Sequence, residues 1–139
     1  MSDKVFLDTN IFIYLYSEDE QDKRTVVSYT VNNNSCITST QALNEACNVW
    51  YRKCNWDKTQ VKTCLDGIEA VCDEVMLVQR KTINSAISIK DIYGYSYYDS
   101  LILASALEAN CDIILTEDMS DGQIIENRLT IINPFSSDK

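Results

Sequence analysis

The chain contains no histidine, one proline and three glycines in 139 residues. Without histidine there is no Ser-His-Asp triad, no Cys-His pair and no imidazole to bind a metal. Polar chemistry must then come mainly from carboxylates, and all-oxygen ligation favours magnesium or manganese over zinc or copper. The scarcity of proline and glycine leaves no flexible linker or low-complexity tract. No apolar run approaches the roughly 20 residues that span a bilayer. The first residues lack the basic-then-apolar layout of a secretion signal, so the expected location is the cytoplasm. Six cysteines are present, but no C-x-x-C pair. Disulfides and zinc are therefore not expected, and the thiols should be reduced and mostly packed among apolar neighbours.

Positive charge is also short: 12 Lys and Arg against 21 Asp and Glu give −9. Proteins that grip phosphates usually carry a basic footprint. Part of the excess is local, in Glu18-Asp19-Glu20 and Asp22. Ser17 with Glu20 fits a capping box opening a helix there. The length and the 45% apolar fraction suit one domain over residues 1–139.

What is present is an alternation of strand and helix patterns. Lys4 to Asp8 reads as a strand, Asn10 to Tyr16 as a short helix, and residues 18 to 32 as an amphipathic helix. Ser35 to Ser39 is a second strand. Ser39 or Thr40 caps a helix to Lys53, with Ala42, Ala46 and Val49 in helical register. Asp57 caps a helix to Cys72, Val75 to Val78 is a strand, and residues 81 to 92 form a helix. Ser96 opens a strongly apolar helix to Asn110. Asp112 to Thr116 and Thr130 to Ile132 are strands. Strands separated by helices pair in parallel through right-handed crossovers. The expected fold is a three-layer α/β/α sandwich on a parallel sheet of four or five strands.

Four acids occupy suggestive places on that frame. Asp8 and Asp118 lie at or just beyond the C-terminal ends of apolar strands, where ligands collect in open α/β sheets. Asp99 heads the face of its helix that carries Ile102, Leu103 and Ala106. Glu45 lies between Ala42 and Val49, at the edge of an apolar stripe. Each has an ordinary explanation alone: Asp8 as a cap, Asp99 as a helix-dipole acid, Glu45 as a surface residue, Asp118 as a loop acid. Together they would repel one another unless a divalent cation held them. Glu117 and Asp121 are the neighbouring alternatives.

Their order along the chain is more specific than any one of them. The segments Val5-Phe6-Leu7-Asp8-Thr9-Asn10, Ser39 through Glu45, Tyr98-Asp99-Ser100-Leu101-Ile102 and Leu115-Thr116-Glu117-Asp118-Met119 resemble the PIN-domain nucleases. The resemblance runs over nearly the whole chain to Ile131-Ile132-Asn133-Pro134. It is greatest to the single-domain toxins of bacterial VapBC-type toxin–antitoxin pairs. That resemblance implies Asp8 and Asp99 as core ligands of magnesium or manganese, with Glu45 and Asp118 completing the acidic pocket. Thr9, Asn10 and Thr116 match supporting polar positions, and Asp121 stands beside them. The implied activity is metal-dependent endoribonuclease cleavage of RNA phosphodiester bonds, held inactive by a cognate antitoxin. Homodimers are common in that family. Tyr93, Tyr95, Tyr97 and Tyr98 surround Asp99 in sequence and are divided between core, interface and base stacking.

Two other readings of the residues remain. A strand-end Asp that binds magnesium also serves phosphoryl-accepting phosphatases and receivers, although the phosphatases place a second Asp where this chain has Asn10. A non-catalytic binding module on the same fold is the third.

Overall fold

The computed structural model describes residues 3–136. The element order is β1 (Lys4–Leu7), α1 (Thr9–Leu15), α2 (Gln21–Asn33), β2 (Ser35–Ser39), α3 (Thr40–Arg52), α4 (Lys58–Val71), β3 (Glu74–Met76), α5 (Arg80–Tyr93), α6 (Tyr97–Glu108), β4 (Ile113–Leu115), β5 (Ile124–Ile125) and β6 (Leu129–Ile132). One sheet runs β3-β2-β1-β4-β6-β5. Every pairing is parallel except β5 with β6.

The expected α/β architecture is present, with all five anticipated strands in parallel. The addition is β5, an antiparallel edge strand of two residues. It joins β6 through a turn whose central residues Glu126 and Asn127 have φ of 53° and 57°. The Arg128 N–H donates to the Ile125 carbonyl at 3.1 Å, closing the turn. Positive φ at both central positions matches the twist that joins adjacent antiparallel strands. Two apolar residues carry too little periodicity to announce a strand.

β1 is central because Val5, Phe6 and Leu7 are all buried, as a parallel strand covered on both faces requires. Right-handed crossovers put α1 to α4, which link β1 to β2 and β2 to β3, on one face. The same rule puts α5 and α6, which return across the sheet to β4, on the other. The chain leaves β1 toward β2 and leaves β4 toward β6, so the sheet changes direction between β1 and β4. Crevices form at the carboxyl ends of strands flanking such a switch.

Local capping follows the sequence closely. Ser39 accepts from the Ala42 N–H, Asp57 forms a capping box with Gln60, and Ser96 accepts from the Asp99 N–H. Only the backbone half of the Ser17–Glu20 box is present. Ser17 Oγ accepts from the Glu20 N–H at 3.1 Å and from the Asp19 N–H at 3.2 Å, but α2 begins only at Gln21. The hydroxyl therefore closes a turn ahead of the helix. All six cysteines are free, and Cys36, Cys72 and Cys111 are buried. Among the described residues no helix is long and apolar enough to cross a membrane.

Gly67, mid-helix in α4, is explained by Tyr16. A Cβ at this position would collide with the Tyr16 hydroxyl, and the Tyr16 ring is held edge-on to Trp50 at 6.1 Å. Alanine would gain up to about 1 kcal/mol in helix propensity. Displacing a packed ring costs about 1–3 kcal/mol. Gly67→Ala should therefore lower stability in urea titrations, and adding Tyr16→Phe should restore most of the loss. An unchanged or higher midpoint for the single variant would refute this packing account.

Candidate active site

Asp8 ends β1 and caps α1 in the same step. Its extended backbone (φ −77°, ψ 168°) turns the chain into the helix. The Thr9 N–H donates to Oδ1 at 2.7 Å and the Thr116 hydroxyl donates to Oδ2 at 2.8 Å. The capping explanation is thus true of Asp8, but it does not account for its burial, since only 5% of the residue is exposed. Burial pushes its pKa up to about 7. The two hydrogen bonds oppose that rise, and the charges of Asp99 and Glu45 add to it.

Thr116 joins the two strand tips. While donating to Asp8, its hydroxyl accepts from the Asp118 N–H at 3.1 Å. The Asn10 amide then donates to Asp118 Oδ2 at 2.6 Å. A chain of polar contacts therefore runs Asp8, Thr116, Asp118, Asn10 across the point where the sheet reverses. Thr9 ties α1 to the helix that bears Glu45, its hydroxyl donating to the Ala42 carbonyl at 3.4 Å. Because Thr116 is fully buried, Thr116→Val should cost about 1–3 kcal/mol by leaving Asp8 Oδ2 and the Asp118 N–H without their partner. Denaturant titration measures this, and a loss below the scatter of the titration would contradict the bridge.

The other acids share this field. Glu45 is half-buried and accepts from the Gln41 amide at 3.3 Å. Its pKa is raised by burial, against the Gln41 bond, with Asp99 and Asp118 raising it further. Asp99, in the first turn of α6, is raised by burial and opposed by the Ser96 hydroxyl. Asp118 sits at the exposed rim, yet its carboxyl is raised by partial desolvation and by Asp99 and Glu117, with Lys53 opposing. Asp99 is the hub: its charge acts on Asp8, on Glu45 and on Asp118.

Glu117 faces elsewhere. It pairs with Lys23 Nζ at 2.7 Å and accepts from the Tyr14 hydroxyl. Lys23 and Tyr14 outweigh its desolvation and lower its pKa. Asp121 accepts from the Asn133 N–H at 2.8 Å, bracing its loop against the end of β6. Tyr93, Tyr95 and Tyr97 pack partly buried against the core, while Tyr98 is exposed. The Tyr93 hydroxyl accepts from the Glu126 N–H, and the Tyr95 hydroxyl from the Ser120 N–H while bonding Gln123. Sequence reasoning missed Gln41 and Ser96 as partners of the acids. Their spacing, four and three residues before Glu45 and Asp99, was the available signal.

Among the described residues, no three acidic or cysteine side chains are drawn together into a ready ligand cluster. The acids share a field without closing around an ion-sized hole. Bare carboxylates repel, and each of these is held by its own donor: Thr9 and Thr116, Gln41, Ser96 or Asn10. The donor set nevertheless fits a hard divalent cation. It is all oxygen, the pKa of each carboxyl is raised, and it spans several elements around one switch point.

The protein family described as PIN domain matches residues 5–120. Comparison with curated proteins finds no matching relative. Similar solved structures include a toxin–antitoxin complex from Klebsiella pneumoniae, with TM-score 0.69, 17% identity, and coverage of 94% of this chain and 98% of that one. Mycobacterium tuberculosis VapC20, described as a sarcin-ricin loop cleaving toxin, gives TM-score 0.66 at 17% identity, over 89% and 98%. Rickettsia felis VapBC2, bound to a promoter DNA fragment, gives 0.64 at 19%, over 94% and 99%. At such identities the likeness shows the fold alone.

Proposed function

This chain belongs to the PIN domain family, and on that premise we propose that it is a magnesium- or manganese-dependent endoribonuclease, the toxin of a toxin–antitoxin pair. The single observation that carries the reading is the position of Asp99, whose charge reaches Asp8, Glu45 and Asp118 around the β1–β4 switch. Membership in this family disfavours the phosphatase and receiver alternatives, which use other folds.

Asp8 and Asp99 would hold the ion, with Glu45 and Asp118 completing its surroundings. When bound, the ion supplies Lewis-acid activation of water and offsets charge on the scissile phosphate. The protein's own part is placement. Thr116 and the Thr9 N–H fix both oxygens of Asp8, so its carboxylate is oriented before any ligand arrives. Asn10 and Gln41 do the same for Asp118 and Glu45. Such outer partners typically contribute 10- to 100-fold in metal affinity.

RNA as the substrate class is supported by membership in the family and is in keeping with the neighbour described as cleaving the sarcin-ricin loop. An antitoxin partner follows from the neighbours described as toxin–antitoxin complexes. A basic antitoxin segment suits a chain of net charge −9 by electrostatic complementarity. The further parts of the proposal are one domain over residues 1–139, action in the cytoplasm, and a homodimer. Incubating purified protein with structured and single-stranded RNA, with magnesium, manganese or EDTA, tests the activity. Cleavage that is unaffected by EDTA, or absent with both metals, would sink it. Size-exclusion chromatography with light scattering tests the dimer.

A further inference from the structure

A cleft of about 420 Å³ opens between the end of α1 and the α3–α4 connection, lined in part by Tyr16, Glu18, Asp19, Lys53, Trp56 and Gln60. Its floor is built of packed rings. Trp50 is buried, Trp56 stacks on it at 5.3 Å with 14° between planes, and Tyr16 meets Trp50 edge-on. Trp56 itself is only partly buried, so the ring that Trp50 holds in place still presents surface to the cleft. None of these aromatic residues takes part in the acidic site.

We propose that this cleft is a subsite for one unpaired nucleobase of the RNA, stacked on Trp56. The inference rests on the endoribonuclease reading and deepens it. Three features favour a base over other occupants. Lys53 lines the cleft and its charge reaches Asp118, so a phosphate passing Lys53 connects the two sites. Gln60 Oε1 accepts from the Asp57 N–H at 3.0 Å, which leaves its amide N–H groups to donate to a base edge. Glu18 and Asp19 disfavour a phosphate inside the cleft but accept from exocyclic amines. An arginine side chain would suit the indole and the two acids, but Lys53 and the Gln60 donor oppose it.

The test uses the full chain, with binding measured in an Asp99→Asn background. The probes are a single-stranded RNA octamer, a dinucleotide too short to reach both sites, and an arginine-rich peptide. Trp56→Leu should weaken octamer binding about tenfold, the loss of one base stack, and Trp56→Phe less. In the cleaving protein, Trp56→Leu should lower kcat/KM on the octamer about tenfold more than on the dinucleotide. Equal losses on both substrates would mark Trp56 as merely structural and overturn the subsite. So would octamer affinity unchanged by Trp56→Leu, or loss of peptide binding alone, which would assign the cleft to a protein partner. Should Trp56→Leu fail to fold, Trp56→Phe and octamer quenching of tryptophan fluorescence decide, and no quenching overturns the proposal. If the wild type cuts neither RNA while octamer binding still depends on Trp56, the endoribonuclease reading fails and the subsite stands.

Discussion

Replacing Asp99 by asparagine is expected to lower magnesium-dependent RNA cleavage by at least about a hundredfold, the scale of losing one well-placed electrostatic group at a reacting phosphate. Asp99 is the acid whose charge reaches the other three. A carboxamide keeps its shape and can still accept from the Ser96 hydroxyl, so α6 should begin as before. What disappears is the negative charge that binds a cation. The fold should survive: relief of repulsion opposes the loss of a helix N-terminal acid, which contributes about 0.3–1 kcal/mol. Asp8→Asn should abolish cleavage in the same way. Gel assays in magnesium, beside circular dichroism of each variant, separate lost chemistry from lost structure. Wild-type cleavage by Asp99→Asn would mean that the site is assigned wrongly.

Asp8 also makes the metal-free protein sensitive to pH. Its carboxyl titrates at about 7 in the folded state, against about 3.9 in an unfolded chain. Between those values the folded form keeps a proton that the unfolded form has released. Stability therefore falls as pH rises through the window from about 4 to 7, by up to about 4 kcal/mol, and then levels off. Glu117 works in the opposite direction, because its lowered pKa adds stability that is lost as pH falls. Lys23, raised by Glu117 and Tyr14, adds stability lost only at high alkalinity. Neither cancels Asp8 in the neutral range. Urea titrations in EDTA at several pH values should show the decline. Asp8→Asn should make it shallower, leaving the smaller part due to Glu45, Asp99 and Asp118, and should be the more stable protein at neutral pH. Manganese should raise the neutral-pH midpoint of the wild type, because binding to the folded state alone stabilises it. Parallel pH profiles for wild type and Asp8→Asn would contradict the assignment of the buried charge.

Much of the fold was legible because its signals are local. Caps act over three residues, so Asp57 and Ser96 could be placed from the chain alone, and the structure chose Ser39 over Thr40 for α3. Runs such as Val5-Phe6-Leu7 and Ile113-Ile114-Leu115 declared buried parallel strands. One local reading was half right, and one element went unread. Ser17 makes the backbone half of its capping box, but α2 begins only at Gln21. β5 exists because the Glu126–Asn127 turn folds two residues back onto β6.

The sequence by itself determined which residues cap, alternate and pack, and it placed Asp8 and Asp118 at strand ends, Asp99 at a helix start and Glu45 within a helix, because those preferences depend on near neighbours. The chain already favoured Asp118 over its neighbour Glu117, but only the tertiary structure supplied the contacts that set the two apart. Lys23 and Tyr14 capture Glu117, while Asn10 holds the Asp118 carboxylate and the Thr116 hydroxyl its backbone N–H, within the field of Asp99. The same holds for the cleft at Trp56, whose walls come from separate helices and their connections. Charge and stacking act through space, and a linear chain does not record which side chains folding will bring together.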